Sequence, residues 1–124
     1  MSSFLFKNLL IIEDEIGVSM IVKKLSEKAG FEAERITLAK SHADALKKID
    51  SSVHYAFVDL NLPDGNGSEL IPMILKANPR AKIIVISGST EMTSITKAIS
   101  EGAKAFVKKP LSPSKFENAL NKLN

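Results

Sequence analysis

The sequence predicts an α/β fold in which five parallel strands form one sheet and helices cover both of its faces. Three observations support this prediction. Short unbroken apolar runs recur along the chain, as strands buried on both faces require. Segments with helical spacing of apolar residues separate these runs, which indicates parallel strands joined by crossover helices. Polar residues such as Asp59 follow the runs directly, so the strands deliver reactive side chains to one edge of the sheet.

The first three strands are expected at residues 9–12, within 31–38 and at 53–58, and the second is expected to be an exposed edge strand. Gly30 ends the first helix, and Ser41 has the spacing to Asp44 that caps the second. The apolar stripes predicted for these two helices are Val18, Ile21, Val22, Leu25 and Ala29, then Ala43, Leu46 and Ile49.

The fourth and fifth strands are expected at residues 81–86 and 103–107. Pro72 lacks a backbone donor, so the third helix should be kinked or should start late. Ser112 caps the last helix and Pro113 opens it. The stripes predicted for the last three helices are Leu70, Ile71, Ile74 and Ala77, then Met92, Ile95, Ala98 and Ile99, then Phe116, Ala119, Leu120 and Leu123.

Right-handed crossovers leave few topologies for this pattern, and the strand order 2-1-3-4-5 is the common one. The expected architecture is a doubly wound, flavodoxin-like three-layer sandwich. We expect a single domain over residues 1–124, because no linker, repeat or low-complexity tract interrupts the pattern.

Composition narrows the functional classes. The 124 residues are 44% apolar and 25% charged, and the chain has no Cys for a disulfide, a thiolate metal site or a thiol nucleophile. Its 17 Lys and Arg are scattered, so direct binding to nucleic acid is not expected. Apolar runs are too short to cross a bilayer and no signal peptide is recognisable, so we expect a cytoplasmic protein. His42 and His54 are expected to be structural or surface residues away from the functional crevice.

The strand ends carry the chemistry. In the order 2-1-3-4-5, ligands bind beyond the carboxyl ends of the first and third strands. Glu13 and Asp14 follow the first strand, Asp59 the third, Ser87 the fourth and Lys109 the fifth. Converging carboxylates require protonation or a divalent cation, and hard oxygen ligands favour Mg²⁺. A hydroxyl and an ammonium beside that ion would complete a site for a tetrahedral anion. Alone, each residue fits an ordinary loop, cap or surface position; their joint placement supports a site.

These residues fall in motifs of a known family. The segments are LIIEDE at residues 10–15, DLNLPDGNG at 59–67, VISG at 85–88 and GAKAFVKKP at 102–110. Through them the chain resembles the receiver domain of two-component response regulators over essentially its whole length. Such a domain is a phosphoacceptor that phosphorylates and dephosphorylates itself rather than a turnover enzyme.

The resemblance implies a role for each site residue. Asp59 would be the phosphoacceptor, and Lys109 would pair with the phosphoryl oxygens. Asp14 and Asp59 would bind Mg²⁺ directly, Glu13 through water, and Asn61 through its backbone carbonyl. Glu13 stands where Asp is commoner in the family, which should shift water positions more than abolish metal binding.

The resemblance also implies a switch. Ser87 would be the hydroxyl that closes on the phosphoryl group, and Phe106 the aromatic residue that turns inward on activation. Phe106 lacks the hydroxyl of a Tyr, so a signal routed through that group would be absent. Asn61 and Ser89 would modulate phosphoryl lifetime. A cis peptide bond before Pro110 is also expected.

The expected partners are a sensor histidine kinase or a histidine phosphotransfer protein, and a downstream protein or output domain. The latter would bind the face formed by the fourth helix, fifth strand and fifth helix, with Lys97 and Lys108 as candidate readout residues.

Two other classes of protein fit these residues less well. A phosphatase of the haloacid-dehalogenase type needs a second Asp two residues after its nucleophile, and Asn61 cannot act as that acid or base. A flavin-binding module needs a phosphate loop after the first strand, where residues 13–15 would repel a phosphate. A pseudo-receiver that binds partners without phosphorylation stays open as the alternative.

Overall fold

The computed structural model describes residues 4–88 and 92–123. All neighbouring strands of the central sheet pair in parallel, and their order is β2-β1-β3-β4-β5. The fold class and strand order predicted from the sequence are therefore confirmed. The strands of this sheet are β1 (Leu9–Ile12), β2 (Ile36–Ala39), β3 (Tyr55–Asp59), β4 (Lys82–Ser87) and β5 (Ala105–Lys108). A separate two-residue antiparallel pairing joins Asn61–Leu62 to Gly65–Asn66.

Helices cover both faces of the sheet. They are α1 (Ile16–Ala29), α2 (His42–Lys48), α3 (Leu70–Ala77), α4 (Met92–Ser100) and α5 (Pro113–Asn121). One core cluster joins the sheet to α1 and α5, and the other joins it to α2, α3 and α4. Every residue of β1 and β3 is buried, which explains their unbroken apolar sequences. Among the described helices, none is long and apolar enough to cross a membrane.

The predicted helix ends are largely confirmed. The Ser41 hydroxyl accepts a hydrogen bond from the backbone N–H of Asp44 at 3.0 Å and caps α2. Ser112 caps α5, and Pro113 is its first residue. Pro72 is the third residue of α3, which begins only after a 3₁₀ turn over Gly67–Glu69. The expected late start therefore occurs, and the missing Pro N–H falls where no intrahelical partner exists.

Three predicted apolar stripes, those of α1, α2 and α4, are wrong in part. Ile21 is 50% exposed and Leu46 is 42% exposed, whereas Ala45 is buried in α2. The buried face of α1 instead includes Ser19 and Ser26, whose hydroxyls donate to carbonyls of their own helix at 3.0 and 2.7 Å. Because their hydroxyl groups form hydrogen bonds within the helix, these serines can occupy core positions. A hydrophobic pattern places apolar residues such as Ile21 at those positions instead. Further exposed members of the predicted stripes are Ala43, Met92 and Ile99.

The second strand begins later than expected. A 3₁₀ turn at Ala33–Arg35 occupies the middle of the segment assigned to it, so β2 starts at Ile36. It is an edge strand with two half-buried residues and one exposed residue, as its irregular alternation indicated.

Candidate functional site

Three carboxylates converge at the carboxyl edge of the sheet. Glu13 and Asp14 directly follow β1, and Asp59 ends β3. Oxygen atoms of the three side chains all lie within 4.8 Å of one another. Glu13 and Asp59 are buried, and Asp14 is the most accessible of the three. The predicted acidic pocket between the first and third strands is therefore present.

Lys109 lies in this pocket. Its Nζ is 2.8 Å from Glu13 Oε1, 3.2 Å from Asp59 Oδ2 and 3.4 Å from Glu15 Oε1. Its backbone N–H donates to the carbonyl of Ser87 at 2.9 Å, and the following peptide bond is cis, as expected. Burial acts to lower the pKa of Lys109, but the contacts with Glu13 and Asp59 outweigh it and raise that pKa. The lysine is therefore a cation that compensates the acidic cluster.

Burial also perturbs Glu13. Removal from water raises the pKa of Glu13 to about 7, and the nearby charge of Asp59 acts in the same direction. Hydrogen bonds from Lys109 and from the backbone N–H of Glu15, which is 3.0 Å from Oε2, oppose this rise. The raised pKa therefore reflects how far Glu13 is removed from water in this pocket.

The backbone after β3 holds Asp59 in a defined orientation. The N–H of Asn61 donates to Asp59 Oδ1 at 3.0 Å, and the N–H of Leu60 donates to the carbonyl of Ile86 at 3.2 Å. The N–H of Gly67 donates back to the Leu60 carbonyl at 2.9 Å. A Cβ on Gly67 would overlap the Asp59 carbonyl oxygen, so only glycine fits against this backbone.

Asp64 attaches the same loop to α2. Its two carboxylate oxygens accept hydrogen bonds from the backbone N–H groups of His42 at 2.7 Å and Ala43 at 2.9 Å. These bonds, that from Ala43 first, lower the pKa of Asp64. The ring of His42 also lies against Gly65, where an added Cβ would be 3.0 Å from Cδ2. His42 is thus at the rim of the crevice, and the expectation that it lies away from the crevice is wrong.

The predicted switch residues occupy neighbouring strands. Ser87 ends β4 and is fully buried, and Asn61 Nδ2 lies 3.5 Å from its Oγ. Phe106 in β5 is half-buried and packs against the core cluster shared with α2, α3 and α4. Ser89 lies outside the described residues.

The donor set fits a divalent cation. Two oxygens bound to one ion are separated by at most about 4 Å for Mg²⁺ and about 5 Å for Ca²⁺, twice the metal–oxygen distance. Oxygen atoms of Glu13, Asp14 and Asp59 lie within 4.8 Å of one another, inside the limit for Ca²⁺, and side-chain rotation would bring them to the shorter separation of Mg²⁺. All offer hard oxygen atoms, as these ions prefer.

Glu15 and Asp64 also contribute to the site, although neither was among the residues predicted for it. Glu15 could have been suspected because it extends the acidic run after β1. Asp64 precedes a turn glycine, but its sequence context gives no signal for a partner 22 residues earlier.

A doubly wound sheet of this order, with acids, a hydroxyl and a lysine at its carboxyl edge, defines a class of α/β domains with a cation pocket at the topological switch point. Residues 9–121 match the family described as response regulator receiver domain, and the chain belongs to that family. It is therefore a receiver domain of two-component signalling, as the motifs indicated. This assignment agrees with our rejection of the phosphatase and flavin-module alternatives and does not favour a pseudo-receiver.

Individual relatives agree with the family. The chain is 34% identical over 119 residues to the chemotaxis protein CheY of Thermotoga maritima, covering 95% of this chain and 98% of that protein. A CheY-like receiver domain protein from Methanospirillum hungatei superposes with a TM-score of 0.82 at 28% identity, covering 94% and 93% of the two chains.

A third similar structure contains a modified residue and bound ions. A response regulator from Burkholderia pseudomallei, crystallised with a phosphorylated aspartic acid, a calcium ion and citrate, superposes with a TM-score of 0.81 at 26% identity. The match covers 95% of this chain but 66% of that one.

Proposed function

We propose that Asp59 of this receiver domain accepts a phosphoryl group from a phosphohistidine, and that Mg²⁺ is the ion used. The observation that carries this proposal is the position of Asp59: its carboxylate ends β3, 3.2 Å from Lys109 Nζ and within 4.8 Å of Glu13 and Asp14 oxygens. The donor would be a sensor histidine kinase or a histidine phosphotransfer protein.

The transfer is an in-line displacement at phosphorus. The P–N bond to the donor imidazole breaks, a P–O bond to an Asp59 carboxylate oxygen forms, and the imidazole leaves with the electron pair and then takes up a proton. The Asn61 N–H, 3.0 Å from Asp59 Oδ1, orients the nucleophile. During the transfer, the Lys109 ammonium pairs with the phosphoryl oxygens and stabilises the transition state.

The cation would be held by Asp14, Asp59 and the backbone carbonyl of Asn61, with Glu13 acting through water. When bound, Mg²⁺ neutralises the charge that accumulates as the phosphoryl group meets the carboxylates. The B. pseudomallei protein, with its phosphorylated aspartic acid and calcium ion, supports a divalent cation in receiver sites of this type.

The chain's own residues would then change the surface. Ser87 would move toward the phosphoryl group, and Phe106 would pack inward behind it. Water attack on the acyl phosphate releases phosphate and restores the carboxylate, with Asn61 and Ser89 at positions that set its lifetime. The altered face would be that of α4, β5 and α5, which presents exposed residues such as Lys97 and Lys108 to a downstream protein or output domain. We infer that residues 1–124 act as a single receiver domain.

The test is intact-mass spectrometry after incubation with acetyl phosphate, with and without Mg²⁺. The wild-type chain should gain one phosphoryl group only when Mg²⁺ is present. Asp59→Asn should gain none. Asp50→Asn, which removes an exposed turn carboxylate instead, should behave as wild type.

The outcomes separate the two candidate functions. An adduct that persists in Asp59→Asn would place the nucleophile elsewhere. No adduct with acetyl phosphate or with a phosphohistidine donor would favour the interaction module that works without phosphorylation.

A further inference from the structure

A cationic cleft lies at the amino end of the sheet, opposite the acidic pocket. The segments before β1, β3 and β4, with the first residues of β3 and β4, line an open cleft of about 460 Å³. Its lining includes the cations Lys7, Arg80 and Lys82 together with the imidazole of His54. Among the described residues that line it, none is acidic, so the cleft concentrates positive charge.

The walls of this cleft are held by the sheet. The backbone N–H of His54 donates to the carbonyl of Asn8 at 3.1 Å, and that of Lys82 donates to the carbonyl of His54 at 3.0 Å. On the adjoining loop, Asn78 Nδ2 donates to the carbonyl of Val53 at 2.8 Å. The backbone that carries the cations is therefore held in place, which lowers the entropic cost of binding a ligand there.

His54 contributes a fixed donor. Its Nδ1 accepts a hydrogen bond from the backbone N–H of Asn8 at 2.9 Å, so the neutral ring carries its proton on Nε2. Burial, together with the charges of Lys7 and Arg35, lowers the pKa of His54. Nearby cations thus add to the effect of burial on the imidazole. Within the described part of the chain, Tyr55 is the only other titratable residue lining the cleft besides the cations.

The cations of the cleft have N–H groups available to bind a ligand. Neither Lys7 nor Arg80 forms an ion pair with a carboxylate of the described residues. Lys82 Nζ donates to the carbonyl of Leu123 at 2.6 Å, which uses one of its three N–H groups. Several charged donors around a polar cavity suit a ligand with several oxyanions rather than an apolar one.

We propose that this cleft binds a compact oligophosphate anion, with Lys7, Arg80 and Lys82 pairing with its oxygens and His54 donating from Nε2. Three cations match the multiple charge of a linked phosphate chain better than that of a single phosphate. The same chemistry is presented by free inorganic triphosphate and by the phosphates of a nucleotide. This site is independent of the phosphoacceptor function, because the two lie at opposite edges of the sheet.

The binding test is NMR of the two imidazoles during titration with sodium triphosphate, without Mg²⁺ and at about physiological ionic strength. His54 and His42 are the only histidines of the chain, and they lie at opposite edges of the sheet. Binding in the cleft should shift the His54 signals and raise the pKa of His54, while those of His42 stay fixed. Shifts confined to His42 would place the anion near the acidic pocket and overturn the proposal.

Matched variants test the charges. Lys7→Gln with Arg80→Gln should weaken triphosphate binding by about tenfold or more, since two charged contacts are lost. Lys24→Gln with Lys28→Gln removes the same net charge from exposed positions on α1 and should leave binding within about twofold. Equal losses in both variants, or no His54 shift with wild type, would refute a built site.

The nature of the ligand follows from two further titrations. ATP binding more tightly than triphosphate would assign the cleft to nucleotides, and equal affinities would assign it to the phosphate chain alone. AMP should bind much more weakly than either, and AMP binding as tightly as ATP would contradict recognition of linked phosphates.

Discussion

Replacing Gly67 with alanine should damage both the stability and the chemistry of this receiver domain. The added Cβ would overlap the carbonyl oxygen of Asp59. It would also lie 2.9 Å from the carbonyl carbon of Asp59 and 3.1 Å from Leu60 Cα. All of these are backbone atoms, so no side-chain rotation can relieve the contact. The loop after β3 must instead move by about an ångström.

The expected loss can be worked from these contacts. Forcing a methyl group into a packed site costs about 1–3 kcal/mol. Stretching the 2.9 Å hydrogen bond from Gly67 to the Leu60 carbonyl costs about 1 kcal/mol more. The total is about 2–4 kcal/mol, which lowers the urea midpoint by about 1–2 M. Displacing Asp59 by this distance should also slow phosphorylation by about 10- to 100-fold.

Gly17→Ala is the matched control. It makes the same chemical change in α1, where an added Cβ meets nothing within 4 Å. Because alanine favours helix, this variant should be as stable as wild type or up to about 1 kcal/mol more stable. Urea unfolding gives the free energies, and the rate of adduct formation with acetyl phosphate gives the chemistry. If Gly67→Ala instead matches Gly17→Ala in both assays, the close packing of Gly67 against Asp59 contributes nothing to stability or to phosphorylation.

Three further predictions concern charge and backbone conformation. The Lys109→Met variant should bind Mg²⁺ about tenfold more tightly in calorimetry, because Lys109 contacts Glu13 at 2.8 Å and competes with the ion. The same variant should accept a phosphoryl group more slowly. Unchanged Mg²⁺ affinity would argue against the competition. The pKa of Glu13 is about 7 when folded against 4.5 ordinarily, so the folded state holds this proton more tightly and stability from Glu13 falls as pH rises from about 4.5 to about 7. Urea midpoints of Glu13→Gln should lack this decline, and parallel pH profiles would contradict it. Gly102→Ala should cost about 1–3 kcal/mol by urea unfolding, since φ is 124° and its Cβ would overlap Leu75; wild-type stability would count against this strain.

The strand ends could be predicted from the sequence because a parallel sheet brings them to one edge. Glu13 and Asp59 each follow a continuous apolar run, and this local signal was sufficient to place them together. The cap at Ser41 and the late start imposed by Pro72 also depend on residues close in sequence. Local rules therefore predicted the architecture and the acidic pocket.

Other features depend on contacts that no local pattern encodes. Ser19 and Ser26 hydrogen-bond within α1, so polar residues occupy core positions and the apolar Ile21 is left exposed. The sequence predicted that Lys109 lies at the pocket, but it did not indicate that the ammonium group would lie between carboxylates. The attachment of Asp64 to α2 joins residues more than 20 positions apart, and only tertiary structure defines that pairing.

The attachment of Asp64 also limits how this loop can change in length. Surface loops ordinarily tolerate inserted or deleted residues, because their ends alone are fixed. Here the segment from Asp59 to Asp64 is anchored at both ends, by the sheet and by the first turn of α2. One added residue would release either the helix or the carboxylate from its position. The stretch therefore behaves as a spacer of fixed length, although much of it is exposed to solvent.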